Sequence, residues 1–391
     1  TLFFTANDGV NGVELWKSDG TSAGTVLVRD IRAGANSSSP DELTDMNGTL
    51  FFTASDGVTG TELWKSDGTP AGTVLVKDIS TGAFSASPES LTNVNGTLFF
   101  SATDGFEREL WKSNGTAAGT VLLKSLNGSS GSSPAGLTNV NGTLFFQAVD
   151  LGIGVELFKS DGTAAGTVLV KDITPGTGSS TLTDLTNVGG TLFFRGPKTG
   201  GGLALWVSDG TAAGTIELAP GGLALPGLAN VGPFLTEVNG MAFFSAGGTG
   251  NDLWKSDGTV AGTVPVGTGL APQGLTTVGG TLFFTGTPGG VGRELMKVDG
   301  EANVLGNDSD PDGNPLTAIL VSGPTNGALT LNADGTVSYT PNAGFSGTDT
   351  FTYKANDGAL DSNVATVTIT VTAAPVTNQA PTLNAVGNQT V

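Results

Sequence analysis

Apolar residues come in short bursts along most of this chain, separated by clusters of Gly, Asn, Asp, Ser and Thr. One burst, Thr-Leu-Phe-Phe or once Met-Ala-Phe-Phe, recurs with its phenylalanine pairs beginning at Phe3, Phe51, Phe99, Phe145, Phe193, Phe243 and Phe283. A second burst follows each of them: ELW at Glu14, Glu62 and Glu109, ELF at Glu156, ALW at Ala204, DLW at Asp252 and ELM at Glu294. These starts lie 42 to 48 residues apart, so one supersecondary unit is used seven times.

A full unit reads as four strands, for example LTNV (Leu91–Val94), TLFFSA (Thr97–Ala102), ELWKS (Glu109–Ser113) and TVLLKSL (Thr120–Leu126). Asn95-Gly96 between the first two suits a tight hairpin, because both residues tolerate positive φ. SDGTxxGT links the last two with turn-forming residues. Leu-Phe-Phe puts bulk on both faces of its strand, since successive side chains point to opposite sides. Such a sheet needs a neighbour above and below. A β-propeller of about seven four-stranded blades supplies both, closed into a ring. The first unit lacks its LT strand and the seventh its TVLV strand, so seven blades with imperfect closure are expected, with six blades plus a stub as the alternative. The Asn-Gly and SDGT turns would then share one face, where all copies look alike. The loops between second and third strands, and those crossing between blades, would share the other. Copies differ there, as at Asp104–Arg108, Gly196–Leu203 and Ala219–Pro233, which makes it the expected ligand face.

Composition narrows the chemistry. The chain has 391 residues with 35 Asp and Glu against 16 Lys and Arg, a formal charge of −19. That balance disfavours nucleic acid and anionic membranes. Cysteine and histidine are both absent, which removes disulfides, thiol chemistry and every Ser-His or Cys-His pair. No stretch is apolar enough to span a membrane, the best (Leu218–Thr236) being broken by prolines and glycines. The chain opens inside a repeat, without Met or a signal peptide, and reads as a piece of a longer polypeptide. All five tryptophans occupy the ELW slot, which Phe158 and Met296 also fill, so they are expected to pack between blades rather than stack on sugars. The acidic residues Glu14, Glu62, Glu109, Glu156 and Glu294 sit in repeat register, as structural carboxylates do and a single catalytic pair would not.

These words, ELWKSDGT and TLFF at this period, resemble the bacterial ELWxxDGT repeat, a hyalin-like or kelch-like propeller family, over about residues 1–300. The resemblance implies a secreted or surface scaffold with no reaction attached. Residues 301–373, with NDSDPDGNPL, LNADGTVSYTP and GTDTFTYKANDG, resemble the cadherin-like or Ig-like tandem modules of bacterial adhesins, and imply a small β-sandwich. Residues 374–391 read as a linker running into a further module of that kind. Asp308, Asp310, Asp312 and Asn314 place oxygen donors on alternate residues of a loop turned at Gly313, which suits structural calcium. The resemblance adds Asn307 and Asp357 to that metal set.

The chain is therefore expected to be all-β, a propeller followed by the sandwich. Its expected function is that of a non-enzymatic extracellular scaffold or adhesin, a monomeric multidomain chain whose propeller loops bind an extracellular protein or glycan. The alternative is the carbohydrate-binding propeller of a secreted polysaccharide-degrading enzyme. In either case no nucleic acid and no membrane insertion is expected.

Overall fold

A computed structural model describes residues 1–371, apart from 199–200, 219–234, 248–251, 288–291, 300–301, 306–307, 309 and 311–313. The expected loop Ala219–Pro233, part of Gly196–Leu203, and all of the expected linker 374–391 therefore lie outside the described residues. The chain forms two compact units, Thr1–Asp299 and Gly300–Val391.

The first unit is a β-propeller of seven antiparallel sheets. The second sheet is typical: Asp41–Met46, Thr49–Ser55, Thr61–Ser66 and Val74–Lys77, hydrogen-bonded in chain order. The first sheet (Leu2–Asn7, Val13–Ser18, Val26–Arg29) lacks the inner strand, and the seventh (Gln273–Val278, Thr281–Gly286, Glu294–Asp299) lacks the outer one. Asn47 and Gly48 take φ of 55° and 84°, as the two-residue hairpin requires.

The SDGT turn explains its own spelling. Asp67 Oδ1 accepts from the Thr69 amide at 2.8 Å and from its hydroxyl at 2.7 Å, while the Ser66 and Thr73 hydroxyls meet at 2.7 Å. Gly72 stands so close that a Cβ there would lie 2.1 Å from the Asp67 carboxylate, so the second glycine is a steric necessity. The lysine of each ELWKS reaches the neighbouring copy: Lys17 Nζ donates to the Gly68 carbonyl, Lys65 to Gly115 and Lys112 to Gly162, each at 2.8 Å.

Six core clusters join the seven sheets in series. In each, one sheet contributes its first phenylalanine and the Leu of ELW, and the next contributes its second phenylalanine and its Trp or equivalent residue. Between the third and fourth sheets these are Phe99 and Leu110 against Phe146 and Phe158, all buried. Phe146 and Phe158 stack with centroids 5.9 Å apart. The tryptophans pack between blades as expected: Trp64, Trp111, Trp206 and Trp254 are buried in these clusters. No cluster among the described residues joins the seventh sheet to the first, where the sequence led us to expect imperfect closure.

The second unit is an Ig-like sandwich. One sheet holds Ala302–Asn303, Thr336–Pro341 and Gly327–Leu331, the other Thr317–Ser322, Gly347–Asn356 and Ala365–Val371. Both feed one core around Phe351, Tyr353, Ala318 and Val304. Asp349 is buried in it. Burial pushes its carboxyl up, but the Thr325 and Asn326 amides and the Tyr339 hydroxyl outweigh that and hold it down at about 2. No helix among the described residues is long and apolar enough to cross a membrane.

Candidate binding face

The glutamate of ELW is the residue whose role the pattern of the sequence did not disclose. It is buried at Glu14, Glu62, Glu109 and Glu156. Glu62 accepts from the amides of Ile79 (2.9 Å), Ser80 (3.3 Å) and Ala86 (2.9 Å), which belong to the connector leading to the third sheet. Glu14 does the same with Ile31 at 3.0 Å and Ser38 at 2.8 Å. Each carboxylate thus ties down a crossing loop that would otherwise have unpaired amides. Burial pushes the Glu62 carboxyl up to about 7, in opposition to those donors and with help from Asp78. Glu294 follows a different course: among the described residues the seventh sheet has three strands, and this residue is exposed.

The crossing loops lie against the loops between second and third strands. A Cβ on Gly60 would sit 2.3 Å from the Phe84 carbonyl, and one on Gly154 would sit 2.7 Å from that of Gly178. The two sets therefore share a face, as the strand order predicts.

In four consecutive blades the second-to-third loop is fastened by an aspartate. Asp8 Oδ1 accepts from the Val10 and Asn11 amides at 2.8 Å each. Asp56 Oδ1 accepts from Val58 and Thr59, also at 2.8 Å each. Asp104 accepts from Phe106 at 3.2 Å and Asp150 from Gly152 at 2.9 Å. The Asn11 and Val10 amides hold the Asp8 carboxyl below its usual range. At Asp56, burial acts upward but the Thr59 and Val58 amides prevail, so its carboxyl is lowered too. An apolar side chain stands out from each fastened loop: Val10 is 67% exposed, Val58 70%, Phe106 92% and Leu151 71%. Phe84, on the neighbouring crossing loop, is exposed as well. Scattered surface apolar residues need no explanation, but Val10, Val58 and Phe106 stand two residues after the aspartate in three adjacent copies, and Leu151 directly after it in the fourth, which makes a patterned surface.

Under Phe106 the third blade opens into a cavity of about 430 Å³ lined by Phe106, Trp111, Leu122, Asp104, Glu107 and Glu109. Here the connector departs from its siblings, with Ser125 where others carry Asp30, Asp78 or Asp172, and a 3₁₀ turn over Gly128–Ser130. Glu109 is held by the Ser125 hydroxyl at 3.0 Å and by that of Ser132, and burial raises its carboxyl. Arg108, the nearest cation in sequence, is engaged with Glu89 at 3.4 Å and with the Ser87 carbonyl at 3.0 Å. The hollow thus joins an aromatic wall to three carboxylates, a combination that receives a group both apolar and cationic.

Of the expected calcium ligands, Asn307 and Asp312 lie outside the described residues. Asp308, Asp310 and Asp357 line one cavity of about 440 Å³, together with Asp361. Asp308 Oδ2 accepts from the Tyr353 hydroxyl at 2.8 Å, Asp310 from the Asn314 amide at 3.0 Å, and Asp357 from the Ala359 and Leu360 amides at 2.7 and 2.6 Å. Burial, then Asp308, pushes the Tyr353 hydroxyl up to about 12. Asn314 meets this group through its backbone amide. Among the described residues no three acidic groups stand close enough to hold a metal ion.

Residues 290–370 match the family described as bacterial Ig domain. No curated protein sequence matches the chain. Several solved structures are similar over most of it. A puromycin hydrolase is 15% identical with a TM-score of 0.44, covering 90% of this chain and 57% of its own. Prolyl oligopeptidase B from Galerina marginata, bound to a 35mer hydrolysis and macrocyclization substrate, is 12% identical with a TM-score of 0.48, covering 90% and 53%. The β-propeller domain of the Trilobed protease from Pyrococcus furiosus is 11% identical with a TM-score of 0.40, covering 76% and 94%. The chain therefore spans just over half the length of the first two. At these identities the likeness concerns the fold alone. The expected adhesin function is corrected to this extent: the similar structures named here are those of peptidases and a hydrolase.

Proposed function

We propose that residues 1–299 are a polypeptide-recognising propeller of the protease-related kind, whose loop face takes segments rich in apolar and basic side chains. The propeller is itself non-catalytic on this reading, and serves a larger secreted protein built on ELWxxDGT repeats. One observation carries it: Val10, Val58, Phe106 and Leu151 are displayed on aspartate-fastened loops of neighbouring blades. The carboxylates beside Phe106 and Trp111 supply the preference for positive charge. A loop already fixed by its own hydrogen bonds loses little freedom on binding, which favours affinity.

The test uses Trp fluorescence of the full chain titrated with a peptide of alternating leucine and arginine. Binding is expected, weakened by salt, and Phe106→Ser should weaken it about tenfold, the loss of one well-buried aromatic contact. Equal binding of a leucine–glutamate peptide, or no effect of Phe106→Ser, would count against the reading.

For the second unit we propose structural calcium at the Asp308–Asn314 loop. The donors are all oxygens, and Asp308, Asp310 and Asp357 border one cavity. Calorimetric titration of the full chain with Ca²⁺ should register uptake, and Asp310→Ala should abolish it. Heat identical to the blank in the unaltered protein would dispose of the site.

A further inference from the structure

The third blade departs from its siblings in two places, and both border the hollow under Phe106. From the fastening aspartate to the third strand the first two blades run Asp8 to Val13 and Asp56 to Thr61, whereas the third runs Asp104 to Arg108, one residue shorter. Glu107 stands there in place of Asn11-Gly12 and Thr59-Gly60. On the crossing loop Ser125 replaces the aspartate of Asp30, Asp78 and Asp172. The lining has thus lost one carboxylate and gained another, beside an apolar wall whose Phe106 and Leu122 are 92% and 43% exposed. At about 430 Å³ the hollow is of ordinary ligand-pocket size, about 300–1,000 Å³.

The three carboxylates have separate tasks. Glu109 engages both its oxygens within the chain, on the Ser125 and Ser132 hydroxyls. Asp104 Oδ1 holds the Phe106 amide at 3.2 Å and so fixes the backbone that carries the ring. Glu107 is half-buried and has no hydrogen bond or ion pair among the described residues. The two cations placed against this lining are engaged elsewhere. Arg108 meets Glu89 and the Ser87 carbonyl, while Lys77 Nζ donates to the Thr120 carbonyl at 2.7 Å and lies 5.7 Å from the centre of the Trp111 ring. The Trp111 Nε1–H is also buried without an acceptor. Trp16, Trp64 and Trp254 share that lack, but Trp111 is the one of them that lines this hollow. A half-buried carboxylate without a counter-charge is unfavourable, and a cation from outside relieves it.

We infer, on the strength of the polypeptide-recognising reading above, that this hollow takes one arginine side chain of the bound segment, its guanidinium laid on the Phe106 ring and paired with the Glu107 carboxylate. A planar, weakly hydrated guanidinium stacks on an aromatic face, and its fork of N–H donors meets both oxygens of one carboxylate. A lysine ammonium is a compact point charge that keeps its water and gains less from the ring.

Calorimetric titration of the full chain with two peptides of equal length and charge, alternating leucine–arginine and leucine–lysine, tests this. The arginine peptide is expected to bind about tenfold more tightly, the contribution of one charge-assisted hydrogen bond. Glu107→Gln, at a residue with no partner in the chain, should leave melting unchanged and bring the two affinities within about twofold of each other. Equal binding of both peptides by the unaltered protein, or a preference that survives Glu107→Gln, overturns the arginine pocket and leaves polypeptide binding standing. Binding of neither peptide overturns both.

Discussion

Phe146→Ala is expected to destabilise residues 1–299 by about 3–5 kcal/mol, the usual cost of emptying a buried aromatic site. Phe146 is fully buried, stacked on Phe158 and pressed against Val94, Phe99 and Leu110 of the preceding sheet. Its removal opens a hole at a junction, not within one sheet. In a serial array the damage falls on the buried cluster that links the third sheet to the fourth. The equivalent change at the first sheet, Phe4→Ala, should cost less, since Phe4 is only half-buried. Urea unfolding followed by Trp fluorescence checks both, because all five tryptophans lie before residue 299 and report this unit alone. Equal losses at the two positions would mean that burial within a single sheet, rather than stacking, supplies the stability.

Glu62→Leu should be comparably damaging, by about 3 kcal/mol or more, since each buried amide left without an acceptor costs about 1–3 kcal/mol. Three amides, of Ile79, Ser80 and Ala86, would be orphaned at once. Glu62→Gln keeps an acceptor and removes the charge, which isolates the titration. The folded carboxyl sits at about 7 against an ordinary 4.5, so between those values the folded chain binds the proton more tightly than the unfolded one. The stability this contributes is complete below about pH 4.5 and is lost as pH rises through 7. Wild type should therefore weaken relative to Glu62→Gln over that interval, by about 1–3 kcal/mol. Melting curves of both proteins at pH 4.5 and 8 measure it. A constant gap would show that the carboxylate is accommodated as a charge.

Much of this was readable beforehand, for physical reasons. Turn chemistry is local, so Asn47-Gly48 and the SDGT words announced hairpins whose φ angles and hydrogen bonds the fold reproduces. Two-sided strands such as Leu98-Phe99-Phe100 announced stacking in layers. The glutamates were read only as structural, because their partners lie 17 and 24 residues further on and no local pattern marks them. The apolar loop tips were missed for another reason. Val10, Val58, Phe106 and Leu151 are solitary residues amid turn formers, and they become a row only when neighbouring blades set them side by side. The need to cover both faces of every sheet pointed to a propeller, and the incomplete first and last repeats to its imperfect closure. The adhesin reading rested on the company such repeats keep, a kind of inference that architecture does not secure.

The uniform junction has a consequence at the level of the gene. Excising one complete copy from the middle of the array would bring together a Phe-and-Leu surface and a Phe-and-Trp surface that already match, with the lysine clasp of Lys65 on Gly115 re-formed by another pair. Unequal recombination between copies can therefore lengthen or shorten the array without creating a packing fault, and natural variants are expected to differ by whole multiples of the unit.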